Sequence, residues 1–228
     1  MNQTGVVAWL AVRELWISFR LLTLLTAYVG VGAVVALLPG PEPSALERLA
    51  IGLAAATIVG SGIAAGSLGS ERALGRAGWL VTRSITRGTL LIGWFIALAG
   101  ISLVGLAAAA SLGWLAASSV AAPLELGPFA TVVGGVAATG LATVAVGLLL
   151  GSLLGPRRAM VAAIILGVAV GAAAYVLLPA TIVPLSALAE LRALERAIAA
   201  GVQGAGFGLA VTAVALVLAR LALGRADL

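Results

Sequence analysis

Residues 128–154, PFATVVGGVAATGLATVAVGLLLGSLL, contain no charged side chain. A hydrocarbon core about 30 Å thick needs roughly 20 apolar residues in helical form, so this stretch alone is long enough to cross a bilayer. It is continuously apolar and rich in Ala, Leu and Gly, whereas a barrel strand alternates apolar and polar residues in pieces of about ten. A helix also satisfies its backbone donors and acceptors internally, which lipid demands. Working outward, comparable stretches recur near 21–38, 49–69, 90–116, 159–178 and 202–223. With no domain boundary or long repeat in sight, the reading is an all-α integral membrane protein of six transmembrane helices, one membrane domain over 1–228.

Composition agrees. Of 228 residues 62% are hydrophobic and 9% charged, against roughly 25% charged in soluble domains. His, Cys and Lys are absent and the single Asp is Asp227. That removes Ser-His catalysis, thiol nucleophiles, disulfides and imidazole or thiolate metal sites, so no catalytic or metal-ligating set is predicted. Without Lys there is no P-loop, and any ATP with its Mg must sit on a partner subunit. Glu42, Glu47 and Glu125 read as solvated loop acids with no basic or metal partner, which argues against a membrane-embedded enzyme.

The net charge of +5 comes from arginines alone, and their distribution gives it a meaning. Grouping the N-terminus, the second and fourth loops and the C-terminus puts Arg13, Arg20, Arg72, Arg76, Arg83, Arg87, Arg157, Arg158, Arg220 and Arg225 on one side. Only Arg48, Arg192 and Arg196 remain for the other. The positive-inside rule then predicts both termini in the cytoplasm and makes the basic surplus topogenic, with no nucleic-acid partner. Arg13 and Arg20 precede the first span, whose length predicts a retained membrane helix and not a cleaved signal peptide.

Two connections flank the first half of this pattern. In residues 5–20, GVVAWLAVRELWISFR, a helical wheel places Arg13, Glu14, Ser18 and Arg20 in one arc and turns Val12, Leu15, Trp16 and Phe19 away. That predicts either an amphipathic helix lying in the interface, with Trp9 and Trp16 at headgroup level, or the start of the first span. Residues 69–88, GSERALGRAGWLVTRSITRG, hold four arginines. Here Ser70 is expected to cap a short helix with Glu71 in its first turn, Gly75 and Gly78 to end it, and Trp79, Leu80 and Ile85 to anchor the loop.

The order of residues in this loop resembles the segment between the second and third spans of type-2 ATP-binding cassette (ABC) exporter permeases. The matching positions are Glu71 and Arg72, Gly75, the run Trp79–Val81, Thr82, and the triplet Ile85, Thr86, Arg87, continuing to Leu90 and Gly93 without a gap. Arg76, Ala77, Ser84 and Trp94 depart from the Thr, Leu, Pro and Lys usual there. The family layout also has an N-terminal elbow helix and short re-entrant helices before the last span. Residues 179–201, PATIVPLSALAELRALERAIAAG, fit the latter place as an extracellular re-entrant or amphipathic helix with Leu185, Leu188, Leu191, Leu194 and Ile198 at helical spacing.

The resemblance implies a permease of a prokaryotic cell (inner) membrane that pairs with a second copy of itself or a related permease. Each half docks a cytoplasmic ABC ATPase on the loop 70–88, and closure of the ATPases reaches the spans as a rigid-body motion. Glu71, Arg72, Gly75, Arg76, Trp79, Arg83 and Arg87 are then the expected coupling residues. The chain binds no cofactor itself; ATP and Mg belong to the ATPase.

No span carries a charge through its centre, which disfavours an ion-coupled carrier. Hydroxyls such as Thr26, Tyr28, Thr57, Ser61, Thr139 and Thr143 would suit an amphiphile moving along the subunit interface, with lipid, drug, lipid-linked glycan or haem all open. They are equally helix-packing residues, the reading favoured by small-residue spacings such as Gly62 to Gly66 and Gly147 to Gly151. A non-catalytic assembly subunit of a membrane complex is the alternative, requiring only helix packing and a basic loop.

Overall fold

The computed structural model describes residues 2–37, 42–77, 85–120, 126–177 and 191–225. Among them there is no strand; seven helices follow one another as α1 (Gln3–Ile17), α2 (Arg20–Leu37), α3 (Glu42–Ala73), α4 (Arg87–Val120), α5 (Leu126–Leu153), α6 (Pro156–Leu177) and α7 (Leu191–Arg225). Four contain segments long and apolar enough to cross a membrane, Gly52–Ala73, Arg87–Leu115, Phe129–Leu153 and Ala205–Arg225, or five if α1 and Arg20–Val31, bent by 78°, count as one. The six expected stretches therefore reduce to four or five among the described residues. The first falls in α2, the second member of the bent pair, and the fifth overlaps α6, whose side chains are described only to residue 169.

Two local expectations are overturned. Ser70 caps no new helix: α3 runs through it to Ala73, and its hydroxyl donates to the Gly66 carbonyl within α3. Such a back-bond satisfies a serine inside a helix and leaves it nothing to cap. Nor do residues 191–201 form a separate re-entrant helix. They are the opening turns of α7, whose 35 residues reach about 52 Å at 1.5 Å each, well beyond the hydrocarbon core. Arg192, Glu195 and Arg196 sit in those surplus turns; residues 179–190 lie outside the described residues.

α3 is the central post, packed on α2, α4, α5 and α6, while α5 packs most extensively on α7 and α1 lies against α4. Small residues let α3 be approached from two sides. Gly147 and Gly151 of α5 face the backbone of Ser61 and Ala65; a Cβ at Gly151 would lie 2.6 Å from the Ala65 carbonyl oxygen. One position along, Gly62 and Gly66 face Ile164 and Met160 of α6. Lipid tails are as apolar as leucine, so close backbone approach and the dispersion it permits hold such helices together. One apolar cluster joins Leu24 and Tyr28 of α2 to Leu49 and Leu53 of α3 and Leu106 of α4. Another joins Val7, Ala11 and Leu15 of α1 to Trp94, Leu148 and Leu223.

The elbow is built locally. The Asn2 side chain caps α1 by accepting from Gly5 N–H at 2.8 Å, and α1 stops where Ser18 donates its hydroxyl to the Glu14 carbonyl at 2.7 Å. Phe19 then takes φ 58°, a left-handed conformation costly for a residue with a Cβ, and its carbonyl starts α2 by accepting from Thr23 N–H. Val7, Ala11 and Leu15 pack inward, whereas Trp9 and Trp16 are 62% and 68% exposed. Leu15 and Trp16, expected to face the same way, face protein and surroundings respectively.

Candidate functional site

The chemistry of this chain collects at one end of the bundle, where α3 stops. Leu74 N–H donates to the Ser70 carbonyl and Gly75 N–H to the Arg72 carbonyl, a C-terminal closure in which Gly75 takes φ 70°. Glycine adopts that conformation without the penalty a side chain would bring. The turn sends Arg76 back across the end of the helix. Its two terminal nitrogens reach Glu14 at 3.1 and 3.3 Å, and Nε stands 3.4 Å from Glu71 Oε1. Glu71 is only 7% exposed, and beside it Arg20 donates to the hydroxyls of Ser67 and Ser70 at 3.1 and 3.3 Å. The elbow helix, the start of α2 and the end of α3 are thus joined through charges.

Two further arginines reach to helix ends. A helix leaves its last carbonyls unpaired, with a partial negative charge about half an electron in size. Arg72 donates through one terminal nitrogen to the carbonyls of Gly151, at 3.2 Å, and Ser152, at the close of α5. Arg87 does the same for α7, to Leu223 at 2.7 Å and Gly224 at 2.6 Å. Arg87 opens α4, where a cation faces the unfavourable end of its own helix dipole, and the α7 carbonyls offset that. Thr86 caps α4 by accepting from Thr89 N–H at 3.1 Å. These contacts place the elbow, the turn at 74–75, the α5–α6 link and the end of α7 at one end of the bundle, the grouping from which the arginine asymmetry was counted.

Of the expected coupling residues, Glu71, Arg72, Arg76 and Arg87 are therefore brought together, but as internal ties between helices. Gly75 is exposed at the turn beside Leu74, itself 62% exposed; Trp79 and Arg83 lie outside the described residues. Sequence reasoning missed Glu14 as the partner of Arg76, and the neighbouring tie of Arg20 to Ser67 and Ser70. The i to i+3 spacing of Ser67 and Ser70 on one helix face was a visible signal for a shared cationic partner. The terminal carbonyls of α5 and α7 gave none, since every helix has them.

The hydroxyls proposed for a substrate path divide. Tyr28 is buried, its ring against Gly105 of α4. Thr143 donates to the Thr57 carbonyl at 3.2 Å, Thr57 to that of Ala54 at 2.7 Å and Ser61 to that of Ala163 at 3.5 Å. These four lie in contacts between or within helices. Thr26 and Thr139 are exposed, and Thr139 donates to the Gly135 and Val136 carbonyls of its own helix. Set against known proteins, the chain matches no family model and no curated protein.

Proposed function

We propose that this chain is the membrane-spanning permease subunit of an ABC exporter, driven by a separate cytoplasmic ATPase and paired with itself or a related permease in a prokaryotic cell membrane. The observation carrying the reading is the unbroken order of Glu71, Arg72, Gly75, Thr82, Ile85, Thr86 and Arg87. It is supported by where that segment begins and ends: its first arginine is bonded to the end of α5 and its last to the end of α7, so a force on it is delivered to two long helices at once. Six crossings with both termini cytoplasmic are part of the proposal. Helices α2 with α3, α4 with α5 and α6 with α7 each leave from and return to the end carrying the arginine ties. The cargo is an amphiphile that travels between subunits, since the buried hydroxyls are engaged in packing.

The test is isolation of the tagged protein from its own membranes in mild detergent with an ATP hydrolysis assay. A P-loop ATPase in stoichiometric yield, lost on Leu74→Glu with Arg83→Glu while the permease stays folded, is the expected result. Glu71→Lys should retain the ATPase but uncouple hydrolysis from transport. A folded preparation with no ATPase overturns the exporter reading in favour of an assembly subunit, a role compatible with arginines bonded inward.

A further inference from the structure

A cavity of about 250 Å³ lies between α1 and α4, walled by Leu10, Ile17 and Trp94. Arg13, Glu14, Glu71 and Arg76 supply its charges, two of each sign. Glu14, Arg76 and Glu71 form a chain of ion pairs, whereas Arg13 is exposed and makes no ion pair among the described residues. The arrangement suits a ligand that carries an anion and a cation a few ångströms apart on an apolar stem. α1 itself has exposed Trp9 and Trp16, the side chains that settle where headgroups meet hydrocarbon.

We propose that this cavity binds the head group of a phospholipid with a primary ammonium, held as a resident lipid and not as cargo. The phosphate takes the free guanidinium of Arg13, the ammonium takes the outer carboxylate of Glu14, and the first methylenes of the chains lie on Leu10 and Ile17. A primary ammonium can donate hydrogen bonds to carboxylates; a quaternary one cannot, and prefers a cage of several aromatic rings, of which this cavity has one. The inference is independent of the exporter reading.

Native mass spectrometry of the detergent-solubilised protein, offered equal amounts of phosphatidylethanolamine, phosphatidylcholine and phosphatidylglycerol, tests it. One retained phosphatidylethanolamine is expected, at about fivefold excess over either competitor, the worth of one partly screened charge contact. Leu10→Trp, which fills the cavity without altering charge, should abolish that excess, and Arg13→Gln should weaken retention of all three lipids. Equal retention of the three, a preference for choline or glycerol heads, an excess that survives Leu10→Trp, or lipid retention unchanged by Arg13→Gln overturns the proposal. Arg13 is exposed, so its variant keeps the test available if Leu10→Trp fails to fold.

Discussion

Arg72 is a residue whose role depends on geometry more than on charge. Its guanidinium reaches the carbonyls of Gly151 and Ser152 from one terminal nitrogen. Arg72→Ala should cost about 2 kcal/mol, the range for a charge-assisted bond whose acceptors are left unpaired, read as a lower melting temperature in detergent. Arg72→Lys should recover only part of that, because an ammonium keeps the charge but has a shorter, unforked reach. Glycines give the complementary contrast. A Cβ at Gly147 would overlap the Ser61 carbonyl oxygen, well inside van der Waals contact, so Gly147→Leu should drive α5 off α3 and leave little monodisperse protein by size-exclusion chromatography. Gly206, inside α7 with nothing near it, should accept alanine and stabilise the protein by roughly 0.5–1 kcal/mol through helix propensity.

At the scale of the element, the elbow shows what a sequence can and cannot disclose. The polar arc of Arg13, Glu14, Ser18 and Arg20 left residues 5–20 as either an interfacial helix or the start of the first span, and the structure gives a helix bent by 78° from the one that follows. Its apolar side was read as one face and is two: Leu15 against protein, Trp16 toward the surroundings. A helical wheel sorts polar from apolar, but a helix at a membrane surface meets water, lipid and protein, and apolar residues suit the last two equally. The same ambiguity left Tyr28, Thr57, Ser61 and Thr143 open to both a path and a packing reading, and the structure has all four in helix contacts. Long apolar runs, by contrast, were legible, because only length and continuity were needed. What holds α1 follows from exposure. The Arg76 and Glu14 side chains are 47% and 29% exposed, so their pair is worth at most about 1 kcal/mol. Leu15 is fully buried, and Leu15→Ala should cost about 2–5 kcal/mol. Melting curves of Glu14→Gln and Leu15→Ala in high and low salt should rank them in that order, with only the first salt-sensitive.

For the whole molecule the absence of cysteine makes topology directly measurable, since any introduced thiol is the only one. Single cysteines at Leu74, Leu154 and Gly224 should be labelled from one side of sealed vesicles and one at Glu125 from the other, the pattern of six crossings. A split among the first three would break it. Grouping the arginines by loop already put the elbow, the turn at 74–75, the α5–α6 link and the end of α7 together, as the contacts do; which carbonyls they would bond was not readable, because those partners are set by how α5 and α7 pack. One of these bonds has a bearing on biogenesis. Arg87 and the Leu223 carbonyl are 136 positions apart. During synthesis the arginine therefore exists long before its acceptor does, and water must satisfy its guanidinium until α7 is made. A chain cut before residue 223 leaves the Arg87 guanidinium without these carbonyls, so the contact that fastens α7 also makes the start of α4 dependent on a helix synthesised long after it.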